Sequence, residues 1–168
     1  MGWMKDETGL EKTQANFVPL TPLSHLQRAA KVFPTSTAVV YNNHRVNYAE
    51  YYVRCSQLAS ALIDVGVKPG SVVATILPNV PAQAEAHFGV PACGAVLNTI
   101  NTRLDVDTVS YIFNHGEAKV VLVDTQFLPL AESACAKVDG NAPLIICLLY
   151  TSDAADEGLG VDLGGRRI

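Results

Sequence analysis

Three short apolar runs constrain this chain more than any other feature: Ser71-Val-Val-Ala-Thr-Ile-Leu77, Lys119-Val-Val-Leu-Val123 and Leu144-Ile-Ile146. None alternates polar with apolar residues, so a strand built from any of them presents apolar side chains on both faces and has to be covered on both. The segments between them have helical length and carry apolar residues at helical spacing. Strand and helix alternating at crossover distance predict an α/β layered fold, a largely parallel sheet with flanking helices. At 168 residues such a chain buries roughly 70% of its unfolded surface and needs neither a disulfide nor a metal to hold it.

Local signals mark where the helices begin and end. Thr21-Pro22 is an N-cap followed by proline at the first helical position, with Leu23, Leu26, Ala30 and Phe33 on one face and Pro34 as the stop. Asn47 with Glu50 starts a second helix in the manner of a capping box. Tyr51, Cys55, Leu58, Leu62 and Val65 form its apolar face, and Gly66 closes it. Asn79-Val80-Pro81 opens a third, rich in small residues (Ala82, Ala84, Ala86, Gly89, Ala92), which suits close packing on the sheet; Gly94 ends it before a strand at Ala95–Asn98. Asp105 caps a fourth helix that Gly116 stops, and Gln126–Lys137 reads as a fifth. Thr37–Tyr41 and Arg45–Tyr48, joined through Asn42-Asn43, read as an early β-hairpin at the edge of the sheet. Residues 1–18 show no periodicity and read as a flexible N-terminal arm, which leaves residues 19–146 as the folded unit.

Composition excludes several classes of function. Acidic residues (16) outnumber basic ones (12) and no basic block occurs, which argues against a nucleic-acid partner. Cys55, Cys93, Cys135 and Cys147 are widely spaced, with no C-x-x-C pair, so buried thiols in a reducing compartment are expected rather than a zinc site. The N-terminus lacks the apolar core of a signal peptide, and no apolar run approaches the ~20 residues of a membrane helix. A cytoplasmic location is the expectation.

From Cys147 the sequence changes character. Residues 147–168 resemble the translation of a transposase-type sequencing-library adapter. Two constant blocks spell Cys147–Asp156 and Val161–Ile168, and the bases between them fit an index barcode with the reading frame closed on both sides. On that reading the glycines at 158, 160, 164 and 165 are not a dinucleotide loop, whose spacing they also miss. Arg166-Arg167 is likewise no basic site, and residues 147–168 form a non-native tail.

Within residues 17–146, an ordered series of segments resembles the N-terminal part of the adenylate-forming (AMP-dependent synthetase/ligase) superfamily. The series is Phe17-Val-Pro-Leu-Thr-Pro22, Val67-Lys-Pro-Gly70, Val72-Val-Ala-Thr-Ile-Leu-Pro-Asn79, Gly94-Ala-Val-Leu-Asn-Thr-Ile-Asn-Thr-Arg-Leu104 and Val121-Leu-Val-Asp124. The wording is most like short- to medium-chain fatty acyl-CoA synthetases. The resemblance implies a parent enzyme that uses ATP, Mg2+ and coenzyme A: a carboxylate attacks the α-phosphate of ATP, and the coenzyme A thiol then displaces AMP from the acyl-adenylate. It implies an incomplete N-terminal subdomain here, inactive alone, because the family's Ser/Thr/Gly-rich phosphate loop, magnesium acid and C-terminal lysine have no counterpart in this sequence. Two alternatives stay open: another adenylate-forming enzyme, such as a peptide-synthetase adenylation domain or a luciferase-like oxidase, and a non-catalytic α/β binding module.

No residue earns a catalytic or metal assignment. Arg103, following Asn98-Thr-Ile-Asn101, is the one candidate for cofactor contact, because ligands gather at strand ends in open α/β sheets; fixing its own loop is the simpler role. His25, His44, His87 and His115 read as surface or capping residues. Asp105 and Asp107 read as a helix start, and Asp124 as the cap of the helix after it.

Overall fold

The computed structural model describes residues 20–148 together with 11, 13, 15, 17 and 18. The adapter-like segment from residue 149 onward, with its glycines and Arg166-Arg167, lies outside the described residues, as does most of the N-terminal arm. In chain order the elements are α1 (Pro22–Val32), β1 (Thr37–Tyr41), β2 (His44–Asn47), α2 (Tyr48–Asp64), β3 (Val72–Ile76), α3 (Pro81–Ala92), β4 (Val96–Thr99), α4 (Val106–His115), β5 (Ala118–Asp124), α5 (Leu128–Cys135) and β6 (Leu144–Leu148).

The three apolar runs became β3, β5 and β6. With β4 they form one parallel sheet in the order β4-β3-β5-β6, with Ala74 beside Val121 and Leu122 beside Ile146. Two-sided coverage is what the runs required. Val73, Val120 and Leu122 face Ala59 and Leu62 of α2 and Ala82, Ala86 and Val90 of α3. On the opposite face Ala74, Ile76, Val121 and Val123 meet Val109 and Phe113 of α4 and Ala131 and Ala134 of α5. The sheet is thus the middle of three layers, and β6 continues past Ile146 through Cys147 and Leu148.

The caps are where the sequence placed them. Thr21 and Ser24 bond reciprocally at the start of α1, Asn47 and Glu50 at the start of α2, and the Asp105 carboxylate accepts from the Thr108 N–H at 3.0 Å. At the end of α4, Gly116 stays right-handed and Glu117 takes the left-handed conformation, φ 49°.

Three local expectations change. The hairpin does not join the large sheet's edge: β1 and β2 form a separate two-stranded sheet. Because α2 starts directly after β2, the hairpin packs on α1 and α2, around Leu26, Val46, Tyr51 and Cys55. The small residues of α3 serve a second helix as well as the sheet. A Cβ at Gly89 would lie 2.8 Å from Leu58 Cδ2 and 3.0 Å from the Cys55 carbonyl, so glycine is what lets α3 approach α2 this closely. The fifth helix is shorter than 126–137: Asp124 caps a 3-10 turn at Thr125–Phe127, and α5 begins only at Leu128, with a proline in its first turn.

Candidate functional site

Two places in this architecture could bind a ligand: the carboxyl ends of the parallel strands and an apolar trench beside the hairpin. The connections leaving the neighbouring strands β3 and β5 pass over opposite faces of the sheet, α3 on one and α5 on the other, toward β4 and β6 in turn. The strand order therefore reverses between β3 and β5, and a crevice outside the carboxyl ends is expected there.

The residues gathered at that end are held by their own loops. Asp124, fully buried at the end of β5, accepts the Gln126 N–H at 3.1 Å and so acts as the cap the sequence suggested. The Ile100 N–H donates to the Thr75 carbonyl, extending β4's pairing with β3 beyond Thr99. Asn101 Oδ1 then accepts the Arg103 N–H at 3.0 Å, and the Leu104 N–H donates to the Asn101 carbonyl. Arg103 itself is exposed on this turn. The structure thus fixes the Arg103 backbone within its loop and places its side chain in solvent. Thr75, 1% exposed in the middle of β3, has no hydrogen-bond partner for its hydroxyl among the described residues.

The trench beside the hairpin is built differently. Two adjoining cavities, of about 660 and 760 Å³, share Pro22, Val39, Tyr51, Ala84 and Phe88. They lie between α1, the hairpin and α3. Tyr51 meets Phe88 edge to face, with ring centroids 5.6 Å apart, and its hydroxyl donates to the Ala84 carbonyl at 2.7 Å. Burial first, then the neighbouring Cys55 and Glu85, drives the phenol's pKa far above its ordinary value, so it stays neutral. Beside it Arg54 of α2 pairs with Glu85 of α3, each side chain 11% exposed. Burial outweighs the arginine and holds the Glu85 carboxyl above the usual carboxylate range. The Cys55 thiol, 3% exposed, is pushed up to about 12, mainly by burial, which leaves it without thiolate character at neutral pH. Such a trench, lined mainly by apolar side chains, can hold apolar matter.

The remaining sequence candidates are dispersed. His25, His44, His87 and His115 are all exposed; His87 Nδ1 lies 2.7 Å from the Gln83 carbonyl, and His115 stacks on Tyr111. Asp105 caps α4, and the Thr108 hydrogen bonds hold its pKa below the ordinary value. Asp107 pairs instead with Lys137. Among the described residues no group of three or more His, Cys, Asp or Glu is placed to hold a metal ion. Sequence reading missed the Arg54–Glu85 pair, though a signal existed: Glu85 sits on the same helical face as Ala82, Ala86 and Gly89, where an acid needs a partner.

Comparison with known proteins decides the family. The AMP-binding enzyme family matches residues 26–163. The chain belongs to that family. Among AMP-binding enzymes, it is 44% identical over 150 residues to a peroxisomal acetate/butyrate–CoA ligase of Arabidopsis thaliana, covering 86% of this chain and 26% of the relative. It is 46% identical over 130 residues to an acetate–CoA ligase of Humulus lupulus, covering 77% of this chain and 23% of the relative. Among solved structures, a Mycobacterium tuberculosis fatty acyl CoA synthetase superposes with a TM-score of 0.68 at 29% identity, over 73% of this chain and 25% of that one. The chain thus spans about a quarter of the length of the curated relatives it matches. No helix among its described residues is long and apolar enough to cross a membrane.

Proposed function

We propose that this AMP-binding family chain is the N-terminal part of an ATP-dependent acyl-CoA synthetase acting on short- to medium-chain carboxylic acids. In that reaction the carboxylate displaces pyrophosphate from ATP to give an acyl-adenylate, and the coenzyme A thiol then displaces AMP to give the thioester, with magnesium offsetting phosphate charge. The observation that supports it most is the match over residues 26–163 together with relatives named as acetate and butyrate CoA ligases at 44–46% identity. Residues 19–146 then supply a scaffold layer, and adenylation belongs to parts of the parent outside this chain. Residues 147–168 are foreign to the parent on the strength of their reading frame, although the matched range runs on to residue 163.

Sequencing the gene across Ile146, followed by ATP–pyrophosphate exchange, tests this. The reading expects a frame that continues into a Ser/Thr/Gly-rich loop, carboxylate-dependent exchange by the longer protein with acetate or butyrate, and none by the 168-residue chain. A natural stop codon near residue 146, or exchange by the short chain, would overturn it. Arg103 is the one cofactor-contact candidate within this chain: Arg103→Ala in the longer protein should raise KM for ATP or coenzyme A, and an unchanged KM leaves it a loop residue. The expected cytoplasmic location competes with the peroxisomal naming of several relatives, and a fluorescent fusion of the longer protein, diffuse or punctate, separates the two.

A further inference from the structure

The trench and the last strand share one core. Val80, buried just ahead of α3, and Tyr41 of β1 both line the 660 Å³ cavity. Tyr41 and Ile146 of β6 pack against the same apolar cluster, of which Val80 is a member. The four strands of the sheet run parallel, so β6 leaves it at the same end as β3, the end where Val80 and Pro81 begin the trench wall. Only β5 lies between β3 and β6, and strands spaced ~4.8 Å apart put the two exits about 10 Å from each other. About three extended residues cover that distance. Among the described residues no Asp, Glu, Lys or Arg lines either cavity, so the surface suits an uncharged, apolar occupant. β1 pairs with β2 along one edge only, which leaves the backbone groups of its other edge for an extended segment. Contiguous open apolar surface of this kind marks an interface. The chain covers only 26% and 23% of the acetate and butyrate CoA ligases it matches, so most of such a polypeptide lies outside it.

We propose, resting on the reading of the parent as a longer acyl-CoA synthetase, that the trench is an internal interface of that parent. Polypeptide continuing from β6 seats an uncharged, apolar, extended segment along β1's outer edge, against Val39, Val40 and Phe88. The 168-residue chain, whose residues after Ile146 are foreign on the same reading, leaves the trench open.

Thiol labelling of the two chain lengths tests it. Val40→Cys places a thiol in the trench wall at a residue 54% exposed. Its reaction with N-ethylmaleimide is followed by peptide mass spectrometry, which separates it from the native cysteines, and is taken relative to the same chain in urea. The interface predicts ready labelling in the 168-residue chain. In the longer protein found by sequencing across Ile146, labelling should be slower by on the order of tenfold. Val40→Lys should lower the melting temperature of the longer protein and leave that of the short chain unchanged. Carboxylate-dependent pyrophosphate exchange by the longer protein checks the parent reading separately. An active longer protein that labels as readily as the short chain, or that accepts Val40→Lys without a change in melting temperature, overturns the interface alone. Protection already present in the short chain also overturns it and assigns the trench to the chain's own residues or, where protection grows with concentration, to a second copy. A natural stop codon near residue 146 overturns both the interface and the reading beneath it.

Discussion

The four-stranded sheet and the hairpin unit use the same strand-forming residues and are held in different ways. Residues 120–124 of β5 and 73–77 at β3 are all buried, including Thr75 and Asp124, because crossover helices cover both faces. In the hairpin only Val46 is buried. Its two strands lean one face on α1 and α2 and leave the other toward the trench. Long-range burial holds the first region, whereas the second depends on a single packed face and on the caps of the helices beside it. Phe113→Ala, beneath the sheet at 1% exposure, should therefore cost about 3–5 kcal/mol. Val46→Ala, at 3% exposure in the hairpin, should cost about 1.5 kcal/mol. Urea unfolding of both variants checks this, and equal losses would erase the distinction between the regions.

The seam between the two regions is the Arg54–Glu85 pair. Removing the arginine alone leaves a buried carboxylate without its partner and should cost about 3 kcal/mol. Arg54→Met with Glu85→Leu should cost less than either single change, because a buried ion pair mostly repays its own desolvation. The pH dependence has a definite sign. Burial raises the Glu85 pKa in the folded chain, so its stabilising contribution is complete below the unfolded value, about 4.3. That contribution is lost as pH rises through the folded value. Unfolding free energy measured across this window should contain a fall that Glu85→Gln removes; a fall persisting in Glu85→Gln would assign it to another group.

The layered sheet was legible because two-sided apolar runs admit few other arrangements, and the caps at Thr21, Asn47 and Asp105 were legible because they are local. What the sequence left hidden is non-local. Nothing near residues 37–48 says whether a hairpin joins a sheet; that is settled by α2 starting directly at Tyr48 and by α1 lying across it. Gly89 was visible as a small residue, but its neighbour Leu58 lies on another helix, so the tight crossing needed coordinates. Arg103 and Asp124 share one end of the sheet, yet each is bonded into its own loop, and which loop holds a polar residue cannot be read from strand spacing.

Caps come next in size. Asn47→Ala removes the side chain that accepts the Glu50 N–H at 2.9 Å and should cost about 1 kcal/mol. Most of that loss should appear in the hairpin unit, since α2 begins there; hydrogen exchange at Val39 and Val46 resolves it from the sheet. Asp105 at α4 gives the opposite pH sign to Glu85. Its carboxyl is held low by Thr108, so its contribution is present above the unfolded value, about 3.9, and fades as pH falls through the folded one. Asp105→Asn should flatten that acid limb.

The smallest expected effect sharpens the comparison of ion pairs. Lys137 Nζ lies 2.5 Å from Asp107 Oδ1, a closer approach than most hydrogen bonds, yet the two side chains are 54% and 80% exposed. Water and salt screen charges in that setting, and holding two long side chains in one geometry costs conformational entropy. Lys137→Ala should therefore change unfolding free energy by less than about 0.5 kcal/mol, and by less still at high ionic strength. Length alone ranks this bond with Arg54–Glu85; burial separates them. A loss near 3 kcal/mol here would mean that the α4–α5 layer depends on this contact rather than on Phe113, Ala131 and Ala134 beneath it.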